Sequence, residues 1–230
     1  MNKEQALFWY RKSTINGNIA AKYILKKYYN EKVKNGTGNK KIIKFKELNQ
    51  YGLYYIGKIL IKTSYERSFH YFQKAAENGY KVAQFNLGNC YRLGEGIRKD
   101  ERKAFELFKK SAEQGYNDAK FRVGYCYYIG VGTDINKVKA FELYKIAAEK
   151  GNNYAKFNLS FLYELGEGVN KDEKKAFELI KELAEKEDSE AQCKLGYYYD
   201  EGIGVEINKE KAFELYKVAA KKGDTNKSQF

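Results

Sequence analysis

The sequence predicts an all-α protein, an α-solenoid of stacked helix-turn-helix repeats of 36 residues. Three observations support this fold class. Four segments of the chain align without a gap at a constant 36-residue spacing. Each segment contains two stretches in which apolar residues recur three or four positions apart, as on one face of a helix. Glycines separate these stretches, and the chain contains no proline. Because one hairpin cannot bury its apolar face alone, such repeats stack into a continuous core.

The first helix of each repeat is predicted from its apolar spacing and from the glycines that end it. The four copies begin at Ala83, Ala119, Ala155 and Ala191. In the first copy Ala83, Leu87 and Tyr91 are four residues apart, which predicts a helix from just before Ala83 to about Leu93. A Gly-x-Gly pair then supplies the left-handed backbone conformation of a helix exit. These pairs are Gly94 and Gly96, Gly130 and Gly132, Gly166 and Gly168, and Gly202 and Gly204.

The second helix is predicted to begin at an Asp or Asn whose side chain caps the first turn. The four predicted caps are Asp100, Asn136, Asp172 and Asn208. The apolar stripe of this helix includes Phe105 and Phe108 in the first copy, and we expect the equivalent Phe141 to be buried. Glycine follows the predicted helix end at Gly115, Gly151 and Gly223. Glu187 takes this place in the third copy, where we expect a less regular exit.

A small residue recurs inside each first helix. It is Gly88, Gly124, Ser160 and Gly196 in the four copies. Glycine in a helix costs about 1 kcal/mol relative to alanine. A cost that is repeated at one position predicts that the paired helix approaches closely there.

The repeats organise the chain into four stretches. Residues 83–223 hold the four regular repeats, and residues 47–82 hold a degenerate copy in which Gly52 precedes Gly88 by one period. Residues 1–46 contain degenerate repeat pieces with a loop near 30–40. Residues 224–230 form a polar tail.

The repeat resembles a known family. Its pattern, A-x-x-x-L-G-x-x-Y-x-x-G-x-G-V-x-x-D-x-x-K-A-F-E-L-Y-K-x-A-A-E-x-G, is similar to the Sel1-like repeats, which are relatives of the tetratricopeptide repeats. The resemblance implies an adaptor in signalling, protein quality control or cell-wall regulation. By analogy with related helical repeats, we expect a right-handed superhelix whose first helices line the concave side. Some bacterial members resemble β-lactam hydrolases and carry paired cysteines in every repeat, and this sequence lacks those pairs.

Composition gives no indication of an enzyme or of a metal or cofactor site. The three cysteines and single histidine form no zinc pattern. The G-x-G pairs lack the strand and acidic residue of a dinucleotide site. We therefore predict no enzymatic activity and no cofactor. His70 is predicted at the surface and Cys193 in the core. Cys90 and Cys126 are predicted to be partly buried free thiols, although they could also meet on neighbouring helices.

Targeting and charge leave the partner open. The first residues do not form a signal peptide, and no apolar run is long enough to span a bilayer, so we expect a soluble, cytoplasmic protein. The formal net charge is +13. It indicates either a solvated helix surface or attraction to acidic proteins, nucleic acid or anionic membranes.

Positions that vary between otherwise constant repeats are candidates for partner binding. Two such positions lie one turn apart on the first helix. The first position holds Asn86, Arg122, Asn158 and Lys194, and the second holds Asn89, Tyr125, Phe161 and Tyr197. A concave groove of cations beside aromatic rings would suit binding, since Tyr and Arg dominate hot spots. The alternative is that these rings pack between successive first helices.

The predicted function is a protein-interaction scaffold or adaptor that binds a partner segment, acidic in character, in signalling or complex assembly. One alternative is a regulatory repeat segment of a larger kinase-type signalling protein. Another is electrostatic binding of nucleic acid, although the sequence contains no recognised nucleic-acid module. The ends of the solenoid could also mediate self-association, since solenoids normally carry polar capping helices.

Overall fold

The computed structural model describes residues 53–54, 57–58, 60–61 and 64–227, with side chains described up to residue 221. Every helix or strand with printed bounds in these ranges is an α-helix: α1 (Tyr65–Glu77), α2 (Lys81–Leu93), α3 (Glu101–Glu113), α4 (Asn117–Ile129), α5 (Lys137–Glu149), α6 (Asn153–Leu165), α7 (Glu173–Ala184), α8 (Ser189–Glu201) and α9 (Lys209–Lys227). The all-α class is therefore confirmed. The repeat pieces predicted at 1–46 lie outside the described residues, and the handedness of the superhelix stays a prediction.

The chain divides into two compact units, Met1–Asp100 and Glu101–Phe230. The first unit contains α1 and α2. The second contains α3 to α9, in which first helices (α4, α6 and α8) alternate with second helices (α3, α5, α7 and α9). The first helices are buried or half-buried along most of their length, whereas the second helices present charged residues to solvent.

Helix starts and exits follow the predicted chemistry. Asn136, Asp172 and Asn208 each accept a hydrogen bond from a backbone N–H three residues on, at 2.9 to 3.0 Å, which confirms them as N-caps. Asn152 and Asp188 cap α6 and α8 in the same way, at 2.8 and 2.9 Å. These two caps were not anticipated, because the equivalent residues of the earlier repeats are Tyr80 and Tyr116, which make no such bond.

The exits of the second helices differ in one copy. Gly115 and Gly151 take positive φ angles of 80° and 83° just past α3 and α5. Glu187 also takes a positive φ, 64°, and α7 ends one residue earlier than its equivalents, as expected for an irregular exit. The prediction for Gly223 was wrong, since α9 continues through it to Lys227. Glycine permits a left-handed exit but does not impose one, and among the described residues no further helix packs after α9.

The small residue inside each first helix allows the paired second helix to approach. A Cβ added to Gly124 would lie 2.9 Å from the ring of Tyr144, and one added to Gly196 would lie 2.9 Å from the ring of Tyr216. The prediction of close approach is confirmed. In the degenerate copy the glycine against the equivalent ring, Phe72, is Gly57. The 36-residue register places Gly52 there, so the first helix of this copy is shifted by five residues.

The second glycine of each Gly-x-Gly turn positions one repeat on the previous one. Within the second unit, an added Cβ on Gly132, Gly168 or Gly204 would overlap the backbone carbonyl of Glu101, Lys137 or Glu173, respectively. Those three residues each open the second helix of the preceding repeat or the turn into it. No side chain fits between these segments, which fixes the 36-residue register.

The core lies between repeats rather than within one hairpin. One cluster joins Tyr144, Ala147 and Ala148 of α5 to Ala155, Leu159 and Leu162 of α6. A second joins α7 to α8 in the same way. Phe141 was predicted to be buried but is half-buried at the edge of the first cluster, where its ring lies edge-on to Tyr163. The fully buried ring of α5 is Tyr144, one turn further on.

Candidate partner-binding surface

The eight variable residues define a surface that we call the first-helix stripe. It comprises Asn86 and Asn89 on α2, Arg122 and Tyr125 on α4, Asn158 and Phe161 on α6, and Lys194 and Tyr197 on α8. All except Tyr197 are half-buried, and Tyr197 is 41% exposed. The α2 residues belong to the first unit, and the other six belong to the second.

On α4, Arg122 lies over aromatic rings. Its guanidinium carbon is 5.7 Å from the centroid of Phe121 and 5.8 Å from that of Tyr125. Tyr125 also packs against the core cluster of α5 and α6. The ring of Tyr125 therefore contributes to packing while it also contacts a cation on its own helix.

Lys194 joins α6 to α8. Its Nζ lies 4.5 Å from the ring centroid of Phe161 and 4.7 Å from that of Tyr197. The same atom is 3.0 Å from a carboxylate oxygen of Glu164, and the hydroxyl of Tyr198 donates to that carboxylate at 2.8 Å. Lys194 and Glu164 are only 16% and 14% exposed. The positive charge of Lys194 is thus already neutralised within the protein.

The tyrosine in this cluster titrates far above its ordinary range. Burial raises the pKa of Tyr198, and the adjacent Glu164 carboxylate raises it further, since the phenol donates to that carboxylate. Glu164 and Tyr198 were not singled out from the sequence. A signal existed, because Tyr198 stands where the earlier repeats have Cys90, Cys126 and Leu162.

The asparagines of the stripe use their amides locally. The side-chain amides of Asn86 and Asn158 donate to the carbonyls of Val82 and Tyr154, four residues earlier, at 2.7 and 2.8 Å. On α2, the buried Oδ1 of Asn89 has no hydrogen-bond partner among the described residues. Both alternatives for the stripe therefore find support: Phe161 packs between successive first helices, whereas Tyr197 is exposed.

A model of the Sel1 repeat matches most of the chain. The matched residues are 2–18, 48–80, 81–116, 117–152, 153–188 and 189–224. The chain belongs to the Sel1 repeat family. Proteins of this family are generally protein–protein interaction scaffolds.

Solved structures of the same fold include two bacterial proteins. A Sel1 repeat protein from Oxalobacter formigenes is 36% identical with a TM-score of 0.72, over 76% of this chain and 72% of that one. A protective antigen with an SLR fold from uropathogenic Escherichia coli strains is 25% identical with a TM-score of 0.74, over 94% of this chain and 49% of that one. These similarities agree with the helical solenoid predicted from the repeat.

Among curated proteins, the chain is similar to the DAP3-binding cell death enhancer 1 of Rattus norvegicus and of Mus musculus. The identity is 46% over 50 residues, which is 21% of this chain. The chain spans about a tenth of the length of these curated relatives. Within the described part of the chain, no helix combines the length and apolar character needed to cross a membrane.

The first-helix stripe alternates with a period of two Sel1 repeats, which the sequence reasoning missed. Helices α4 and α8 carry a cation followed by a tyrosine, whereas α2 and α6 carry an asparagine first. The signal was readable, because the turns alternate as well, with Gly-Glu-Gly in one pair of repeats and Gly-Val-Gly or Gly-Ile-Gly in the other. The candidate cation–aromatic pairs therefore recur every 72 residues.

The single histidine and the cysteines lie apart from this stripe. His70 is exposed on α1, as predicted. Cys193 was predicted in the core, but it is exposed. Its equivalent Phe121 is half-buried because its larger ring reaches Tyr154 of the next first helix, at 6.0 Å. Cys90 and Cys126 are free thiols that are buried rather than partly buried, and burial raises the pKa of Cys90 to about 12.

Proposed function

We propose that this Sel1 repeat protein is an interaction scaffold that binds an acidic segment of a partner protein at the first-helix stripe. The single observation that carries the proposal is the cation–aromatic pair of Arg122 and Tyr125. The family's general role as scaffolds supports it, and a relative named as DAP3-binding agrees with a role in binding proteins. The net charge of +13 favours an acidic partner.

Arg122 suits the centre of the site better than Lys194 does. Lys194 is bonded to Glu164 inside the protein, so a partner carboxylate would compete with an existing ion pair. Arg122 contacts rings through the plane of its guanidinium, and the N–H groups in that plane suit a bidentate carboxylate. We therefore place the main contact on α4, with signalling or the assembly of complexes as the setting.

The test compares capture of partners from native lysate, after nuclease treatment, by three forms of the chain. Arg122→Ala combined with Tyr125→Ala should lose a discrete set of proteins that the unaltered chain retains. Lys145→Ala is the matched control, since it removes one exposed charge from the outer helix of the same repeat. Equal capture by all three forms would refute the site. Thermal melts of each variant show whether a loss reflects unfolding.

Two alternatives remain as outcomes of related measurements. If the positive charge binds nucleic acid, the captured material should be lost on nuclease treatment, and affinity should fall steeply with salt. If the chain is a regulatory segment of a larger kinase-type protein, an antibody to it should detect a native product far above 26.7 kDa. The favouring observation is that the curated relatives are much longer than the stretch they share with this chain.

A further inference from the structure

An edge-on aromatic pair recurs between consecutive repeats. A phenylalanine of each second helix meets a tyrosine 22 residues later, on the first helix of the next repeat. The four pairs are Phe69 and Tyr91, Phe105 and Tyr127, Phe141 and Tyr163, and Phe177 and Tyr199, with centroids 5.3 to 5.5 Å apart and interplanar angles of 81° to 88°. This pair is therefore a regular part of the interface between stacked repeats.

Phe213 is the fifth phenylalanine of this series, on α9. It has no aromatic partner among the described residues and is 64% exposed, whereas the equivalent Phe177 is 6% exposed. Ala220 is also exposed, although the equivalent Ala184 is 6% exposed. On α8, Cys193 and Tyr197 are exposed beside them. We call this surface of α8 and α9 the end face.

The charges of α9 differ from those of the interior second helices at both ends. Near the start of the helix the interior residues are Arg102, Val138 and Lys174, whereas α9 has Glu210. Near its end they are Glu113, Glu149 and Glu185, whereas α9 has Lys221. The exposed stripe of α9 therefore reads Glu210, Glu214, Lys217 and Lys221, acidic first and basic last.

Such a stripe is complementary to itself in an antiparallel arrangement. A two-fold axis midway between residues 215 and 216 sets Glu214 opposite Lys217 of a second copy, and Glu210 opposite Lys221 of that copy. The same axis brings the Phe213 side chains of both copies into one apolar contact, and it sets the exposed Tyr197 ring of each copy beside it. An interface of this kind uses the same patch on both subunits.

We propose that the end face forms a two-fold dimer in which α9 of one copy packs antiparallel to α9 of the second. The apolar centre is Phe213, and the two acidic–basic pairs set the antiparallel direction. This inference does not depend on the partner site at Arg122, which lies on α4. Dimerisation would give one assembly two first-helix stripes, and hence two binding sites for a bivalent partner.

The direct test is sedimentation equilibrium of the full chain over about 1 to 500 µM. The unaltered chain should show a dimer that dissociates on dilution. Phe213→Ser should raise the dimer dissociation constant at least tenfold. Ile146→Ser is the matched control, since Ile146 is an exposed apolar residue of an interior second helix and should leave the constant unchanged. A monomer at all concentrations, or a dimer that is insensitive to Phe213→Ser, would overturn the proposal.

A charge-exchange experiment tests the antiparallel direction. Glu214→Lys alone and Lys217→Glu alone each place like charges across the axis, so each variant should dimerise more weakly than the unaltered chain. An equimolar mixture of the two variants places opposite charges across the axis in both pairs and should form a heterodimer preferentially. Absence of that preference would contradict the arrangement, and circular dichroism of each variant separates this result from loss of fold.

Discussion

The α6–α7 hairpin and the α8–α9 hairpin have nearly the same sequence pattern, yet they bury it differently. Both second helices contain the sequence Ala-Phe-Glu-Leu. Its phenylalanine is 6% exposed in α7, as Phe177, and 64% exposed in α9, as Phe213. The difference is the neighbour, because α7 packs against the first helix of the next repeat and α9 has no such helix among the described residues. Burial in a solenoid is therefore a property of stacking rather than of the hairpin.

The largest expected effect tests this difference directly. Phe177→Ala removes a buried ring between two repeats and should lower the free energy of unfolding by about 3 to 5 kcal/mol. Phe213→Ala removes a mostly exposed ring and should change it by less than about 0.5 kcal/mol, measured at a concentration where the chain is monomeric. Denaturant titration of both variants measures the contrast. Similar losses for the two would mean that the end face is covered in solution.

A second comparison separates backbone strain from contact between repeats. Gly132 and Gly151 both have positive φ, but only an added Cβ at Gly132 would overlap the preceding repeat. Gly151→Ala should cost about 1 to 2 kcal/mol, the usual cost of a left-handed conformation. Gly132→Ala should cost about 2 to 5 kcal/mol, since overpacking adds to that strain. Equal costs, read from the same denaturant titration, would show that the turn does not set the register.

The smallest effects concern two fully buried tyrosines. The Tyr198 hydroxyl donates to Glu164, so Tyr198→Phe should lose about 1.5 to 3 kcal/mol, the value of a hydrogen bond to a charged group. The Tyr144 hydroxyl is buried without a hydrogen-bond partner among the described residues. Tyr144→Phe removes that unsatisfied group and should be neutral or slightly stabilising. Thermal denaturation of the two variants ranks them, and a larger loss for Tyr144→Phe would be inconsistent with these contacts.

Much of the fold was predictable because each repeat encodes its own helices. The apolar spacing placed the first helices, and the caps Asn136, Asp172 and Asn208 marked the second ones. The sequence could also have revealed the shift in the degenerate copy, where Gly57 rather than Gly52 lies against Phe72. Features contained within one hairpin were thus readable from one hairpin.

The wrong predictions share a physical cause, since each depends on an adjacent element. Cys193 is exposed because it lacks the ring that lets Phe121 reach the next first helix. Gly223 does not end α9, because no described helix follows it. The candidate stripe was found as a set of variable positions, but the pairing of Lys194 with Glu164 spans two repeats and could not be read from either repeat alone.

Native-state hydrogen exchange along the second unit tests the central claim most directly. If neighbours supply the stability of each repeat, amides of α6 and α7 should exchange only through openings close to global unfolding. Amides of α9, which is covered on one side only, should exchange through openings of much lower free energy at concentrations where the chain is monomeric. Uniform protection from α5 to α9 would contradict the account, because each hairpin would then be stable without the repeat that follows it.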